Sequence, residues 1–132
     1  MTIPEKHRNE LVDYRLEQAH KTLEDIEFLI HNKRFGLAIN RIYYGIFYLL
    51  SALAIKHQFE TSKHQQLIGC FNKDFVKTGL FSSDIASVVH KAFSKRSKSD
   101  YAVYAEFSEE ETSALFAEMK LFFAEIKILI LK

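Results

Sequence analysis

The sequence predicts an all-α protein, an antiparallel up-and-down bundle of about five helices forming one domain over residues 1–132. Three observations lead there. The stretch 42–55, IYYGIFYLLSALAI, has no charged residue on any side, so as a helix it must be buried. Apolar residues elsewhere recur at alternating steps of three and four, the period of a one-faced helix. Finally, 48% of the chain is hydrophobic while it holds one Pro and four Gly, much material for a core and little for turns.

Each element follows from local chemistry. The first helix starts near Pro4, whose missing N–H costs nothing at a first helical position. Val12, Leu16, Ala19, Leu23, Ile26 and Ile30 stripe its inner face, with Glu17 and Lys21 paired outside. His31, Asn32 and Lys33 make a polar break that allows only an antiparallel return. The central helix runs from Phe35 to His57, too short in its uncharged part for the ~20 residues that cross a bilayer. Arg41, Tyr44, Tyr48 and Ile55 share one of its faces.

The chain then turns through Gln58 to Thr61. Ser62 with Gln65 predicts a capping box for a single short third helix, buried through Leu67, Phe71 and Phe75 and stopped by Gly79. Ser82 or Ser83 caps a fourth helix with Ile85, Val88, Val89 and Ala92 inside. The polar residues Ser97–Ser99 predict its end, followed by a loop through Phe107 that carries Tyr101 and Tyr104. Ser108 with Glu111 is a second capping box, opening a last helix striped by Leu115, Met119, Phe122, Ile126 and Leu129.

A net charge of +1 excludes a global electrostatic drive toward nucleic acid, so polyanion binding must come from a local patch. Cys70 is the single cysteine and allows no internal disulfide. The first ten residues, MTIPEKHRNE, lack the apolar core of a signal peptide, and the expected location is the cytoplasm, away from membranes. Six scattered His with no HExxH and no paired Cys argue against zinc, and there is no phosphate-cradling Gly-rich loop and no nucleophile elbow. No metal or cofactor is expected.

What remains is a basic run, HKAFSKRSKSDY over residues 90–101, where Lys91, Lys95, Arg96 and Lys98 crowd into about two turns with no acid before Asp100. Tyr101 and Tyr104 follow it as candidate stacking groups. Arg41 and Tyr44 mark the polar entrance of the central helix, and His64 stands at the start of the third. Each has a bland alternative: a solvated helix end for the lysines, core-edge pairing for Arg41 and Tyr44, an ordinary polar start for His64.

The passages AINRIYYGIFYLLSALA, SKHQQLIGCFNKDFVKTGLF and KAFSKRSKSDY leading into FSEEE resemble the HEPN superfamily, the higher eukaryotes and prokaryotes nucleotide-binding domains, in its small stand-alone prokaryotic branch. The resemblance covers about Arg15 to Ile130. It implies a helical bundle that dimerises and is often paired with a minimal nucleotidyltransferase as toxin and antitoxin, with RNA or a nucleotide as ligand. Many members are metal-independent ribonucleases using an Arg followed, after four to six residues, by a His. Arg96 matches the Arg, but Tyr101 stands after four intervening residues and no His follows His90. A phenol with a pKa near 10 is ionised in roughly one part in a thousand at pH 7, a poor base beside an imidazole near 6.5.

Three readings follow. The first is a binding or regulatory module that uses Lys95, Arg96, Lys98, Asp100, Tyr101, Tyr104, Arg41 and Tyr44 on nucleotide or RNA, with Tyr104 a phenol open to modification by a nucleotidyltransferase. The second is a ribonuclease built on Arg96 with Tyr101 or His64 moving the proton. The third is a purely structural dimerisation module. The missing His places binding above catalysis and predicts little metal-independent RNA cleavage by the protein alone. Light apolar coverage predicts a homodimer with the second and fourth helices near the two-fold axis.

Overall fold

A computed structural model describes residues 4–59, 61, 63–101 and 106–131, the side chains of residues 99–101 excepted. Among them run α1 (Glu5–His31), α2 (Phe35–Lys56), α3 (His64–Phe71) leading into a π-helical turn (Asn72–Val76), α4 (Ser83–Tyr101) and α5 (Glu109–Leu131). The described residues form an all-α bundle with no strand.

The uncharged helix sits in the middle, as its composition demands. α2 packs against α1, α3, α4 and α5, and Ile39, Ile42, Leu49, Ala52 and Leu53 are buried along it. With its flanks it is long and apolar enough to cross a membrane, but 72% of its most apolar window is covered by the rest of the chain. That burial is the state of a bundle core. Gly45 makes it possible. A Cβ there would overlap Met119 Cε of α5 and stand 3.3 Å from Thr22 Cγ2 of α1, so glycine lets three helices close on one point. Thr22 is buried with its hydroxyl donating to the Gln18 carbonyl at 2.7 Å.

The helix ends show how tight the returns are. After α1, Lys33 takes φ +59°, its N–H donates to the Ile30 carbonyl at 3.0 Å, and Arg34 N–H donates to the Leu29 carbonyl at 2.8 Å. After α2, Gln58 at φ +64° repeats the pattern, with its N–H on Ile55 at 3.0 Å and Phe59 N–H on Ala54 at 2.8 Å. Both are Schellman stops made with a non-glycine residue in the left-handed position. Gly79, at φ +81°, is the expected glycine stop.

Three local readings are corrected. α3 begins at His64 with Lys63 before it and no side-chain cap. Ser62 lies outside the described residues; the hydroxyl of Thr61 accepts from Lys63 N–H at 3.1 Å and donates to Gln66 Oε1 at 2.6 Å. The third segment is two-part, because Lys77 N–H reaches the Asn72 carbonyl at 2.9 Å, five residues back. α4 does not end at Ser97–Ser99 but runs on to Tyr101. Serine costs a helix only about half a kcal/mol per residue, and cations in the last turn suit the helix dipole. Tyr104 lies outside the described residues.

The other local signals hold. Ser82 Oγ accepts from Ile85 N–H at 3.4 Å at the start of α4. Ser108 and Glu111 form a reciprocal capping box, Glu111 N–H on Ser108 Oγ at 3.0 Å and Ser108 N–H on Glu111 Oε1 at 2.8 Å. Phe71, Phe81 and Phe122 close α3 onto the core, with ring centroids 5.0 to 5.7 Å apart.

Candidate functional site

Arg96 on α4 meets α2 at two consecutive tyrosines. Its guanidinium carbon lies 4.7 Å from the Tyr43 ring centroid and 5.3 Å from that of Tyr44, and Nη2 donates to Tyr44 Oη at 3.3 Å. The two rings stand edge to face, 5.4 Å apart. Arg41, one turn before Tyr44, also lies over the Tyr44 ring, at 5.2 Å. Two guanidinium groups therefore share one phenol at a half-buried margin of α2, where the aromatic faces attract the cations and fix their planes.

His64 completes the group from a third element. Tyr43 Oη and His64 Nδ1 are joined by a hydrogen bond, and the imidazole lies against Phe47 with ring centroids 3.8 Å apart. The sequence leaves open whether His64 and Arg96 meet; the fold brings both onto Tyr43. Burial, and after it the positive charge of Arg96, holds the His64 imidazole below its ordinary pKa of 6.5. A neutral imidazole beside a fixed guanidinium is a pair able to hold a phosphate oxygen and move a proton.

The basic run is less free than its sequence implies. Lys95 Nζ lies 3.0 Å from Glu111 Oε2 and Lys91 Nζ 2.8 Å from Glu118 Oε1. Acids of α5, distant in sequence, thus balance two of the four cations. The Glu111 carboxyl is held below the usual carboxylate range by the Ser108 N–H first and by Lys95 next. Lys98 is exposed. The side chains of Asp100, Tyr101 and Tyr104 lie outside the described residues.

Two residues of the site escape sequence reading. Tyr43 is 4% exposed and reads as core because its neighbours are apolar; nothing local marks it. Arg15 lines a cleft of about 390 Å³ with Phe47, Ser51, Phe59, Thr61 and His64. Its Nη1 donates to Gln18 Oε1 at 2.7 Å, while its buried Nε has no hydrogen-bond partner among the described residues. A signal for it exists: Arg15 lies three residues after Val12 and four before Ala19, a cation at the spacing of the buried stripe. Among the described residues no group of three His, Cys, Asp or Glu side chains is placed to hold a metal ion.

Comparison with known proteins adds to this geometry. The family model described as HEPN domain matches residues 12–129. A protein of Thermotoga maritima named UPF0332 protein is 32% identical over 123 residues, covering 93% of each chain. Two proteins of Methanocaldococcus jannaschii, each carrying the name "putative toxin", are similar as well. One is 30% identical over 85% of this chain and 76% of its own, the other 29% identical over 92% and 90%.

Proposed function

The chain belongs to the HEPN family, and from that premise we propose that it is a toxin-type HEPN module that grips the phosphate of RNA or a nucleotide at Arg96 and works in the cytoplasm beside a nucleotidyltransferase partner. The observation that carries this reading is the Arg96 guanidinium set over Tyr43 and Tyr44, with Arg41 on the same phenol and His64 bonded to Tyr43. Arginine suits the task because its planar fork grips two phosphate oxygens at once, and stacking on aromatic rings removes the entropy of ordering it. Arg15, which lines the cleft beyond His64, extends the positive lining. Toxin names among the relatives support the setting.

A second reading, a metal-independent ribonuclease, is favoured by one observation, the Tyr43–His64 hydrogen bond that ties an imidazole to the Arg96 cluster. In it, the ribose 2′-hydroxyl attacks phosphorus, the 5′-oxygen leaves, and a 2′,3′-cyclic phosphate forms. His64 takes the 2′ proton and returns one to the leaving oxygen, while Arg96 stabilises the charge on phosphorus. His64 stands in this scheme where the family motif has a later histidine.

The test is binding of a single-stranded RNA by fluorescence anisotropy at several salt concentrations, beside cleavage assays in chelator. Arg96→Ala is expected to weaken binding about tenfold or more, a loss of ~1.4 kcal/mol, and Arg96→Lys to fall between it and the parent. RNA affinity indifferent to Arg96→Ala would overturn the proposal. Cleavage in chelator that His64→Ala abolishes would establish the second reading.

A further inference from the structure

A second cleft, of about 370 Å³, lies between α4 and the segment made of α3 and its π-helical turn. Ile68 and Val76 wall it on one side, and Ala86, Val89 and Phe93 on the other. Gln65, Asn72 and His90 stand exposed at its rim. Both walls follow helical spacing, each segment presenting one face to the cleft. The π-helical turn begins and ends on it, at Asn72 and Val76, and such widened turns occur mostly at functional positions.

Both walls lead to the Arg96 site. On α3, Gln65 directly follows His64 and Ile68 lies one turn beyond it. On α4, Phe93 stands one turn before Arg96, about 4.5 Å along the axis. The Phe93 and Tyr43 ring centroids are 6.2 Å apart, and Tyr43 is the ring that carries Arg96 and bonds to His64. A phosphate held at Arg96 therefore has this cleft beside it for the group it carries.

The lining says which group fits. Among the described residues of the cleft there is no Asp, Glu, Lys or Arg, so it offers a phosphate no countercharge, whereas apolar walls with a few polar groups suit a flat neutral ring. Phe93 supplies an aromatic wall on which a base can pack. The side chains of Gln65 and Asn72 make no hydrogen bond to another described residue, and each amide offers a donor beside an acceptor. Adenine presents the matching pair, its N6 amino group beside N7, and a side-chain amide is its bidentate partner.

We propose that the cleft between α3 and α4 is an adenine subsite, which seats the base of the nucleotide whose phosphate Arg96 holds, packed on Phe93 with its edge on Gln65 and Asn72. This rests on the phosphate grip at Arg96 and adds a base preference, which phosphate contacts do not provide.

The experiment measures the affinity of the full chain for short single strands of adenylate, cytidylate and uridylate RNA by fluorescence anisotropy. In parallel, adenosine, which has no phosphate, is titrated while the methyl resonances of Ile68, Val76 and Val89 are followed by NMR. The parent should bind the adenylate strand about tenfold tighter than the uridylate strand, the size of one bidentate base contact. Ser87→Leu fills the cleft from α4, where the Ser87 hydroxyl donates only to the Asp84 carbonyl of its own helix, at 2.6 Å. That variant, and Gln65→Ala with Asn72→Ala, should each erase the preference while leaving uridylate affinity and its salt dependence as in the parent; thermal unfolding shows that both are folded. Adenosine should shift the three methyl resonances in the parent and in Arg96→Ala alike, and leave them unmoved in Ser87→Leu. Equal affinity for the three strands overturns the subsite and leaves the Arg96 grip standing, as does an adenylate preference that both cleft variants retain. Strand binding indifferent to Arg96→Ala overturns the grip, and the adenosine shifts then establish the subsite by themselves. Methyl resonances of the parent that adenosine does not move overturn the subsite whatever the strands do.

Discussion

The guanidinium carbon of Arg96 lies 4.7 Å from the ring centroid of Tyr43, and the far end of that phenol is hydrogen-bonded to His64. One side chain therefore serves as floor for the cation and as anchor for the imidazole, two functions that mutation separates. Tyr43→Phe keeps the floor and loses the anchor, with an expected stability loss of about 1 kcal/mol. Tyr43→Ala loses both and opens the core beneath, with an expected loss of about 3 kcal/mol or more. Urea unfolding of the two variants checks the ordering.

His64 gives a pH signature with a definite sign. Burial and then Arg96 lower its folded-state pKa from 6.5, so the unfolded chain binds the proton more readily. The stability this group contributes is complete above pH 6.5 and is lost as pH falls through the folded pKa. Histidine ring resonances followed by NMR should show His64, assigned by His64→Gln, titrating below 6.5. Arg96→Ala should raise that pKa yet leave it below 6.5, because burial is the larger cause. A His64 titrating at or above the ordinary value would contradict the placement.

Glu111 restrains the basic run. Glu111→Gln keeps the reach back to the Ser108 N–H that a capping box needs and removes the negative charge beside Lys95. RNA affinity should rise, and the plot of log affinity against log salt should steepen by ~0.7, the increment for one more phosphate neutralised on a single strand. An unchanged slope would show that Lys95 takes no part in binding.

Two glycines with open space around them should respond oppositely to alanine. Neither Gly69 nor Gly79 would place a new Cβ within 4 Å of another group. Gly69 sits inside α3, where alanine should stabilise by about 0.5–1 kcal/mol. Gly79 holds φ +81°, where alanine should cost about 1–2 kcal/mol. Thermal unfolding of the two variants should therefore shift in opposite directions.

What the sequence determined by itself was whatever depends on residues within a turn or two of each other. The helical faces, the Ser108–Glu111 box and the Gly79 stop can be read because their partners lie about four residues apart or closer, and the 42–55 stretch points to the core because it is uncharged on every side yet falls short of the ~20 residues that span a bilayer. The end of α4 lies beyond its local signal for the same reason: serine's weak local preference yields to the lysines, arginine and dipole of an already formed helix. The site depended on the tertiary structure. Arg96 and Tyr44 are 52 residues apart, Tyr43 and His64 are 21, and Lys91 and Glu118 are 27. Whether such groups meet depends on how far each helix is rotated and slid against α2, and that is set by the packing of residues such as Gly45, Met119 and Thr22. A charge is therefore visible in the sequence, but whether it is neutralised, stacked or left for a ligand is decided only when the bundle closes.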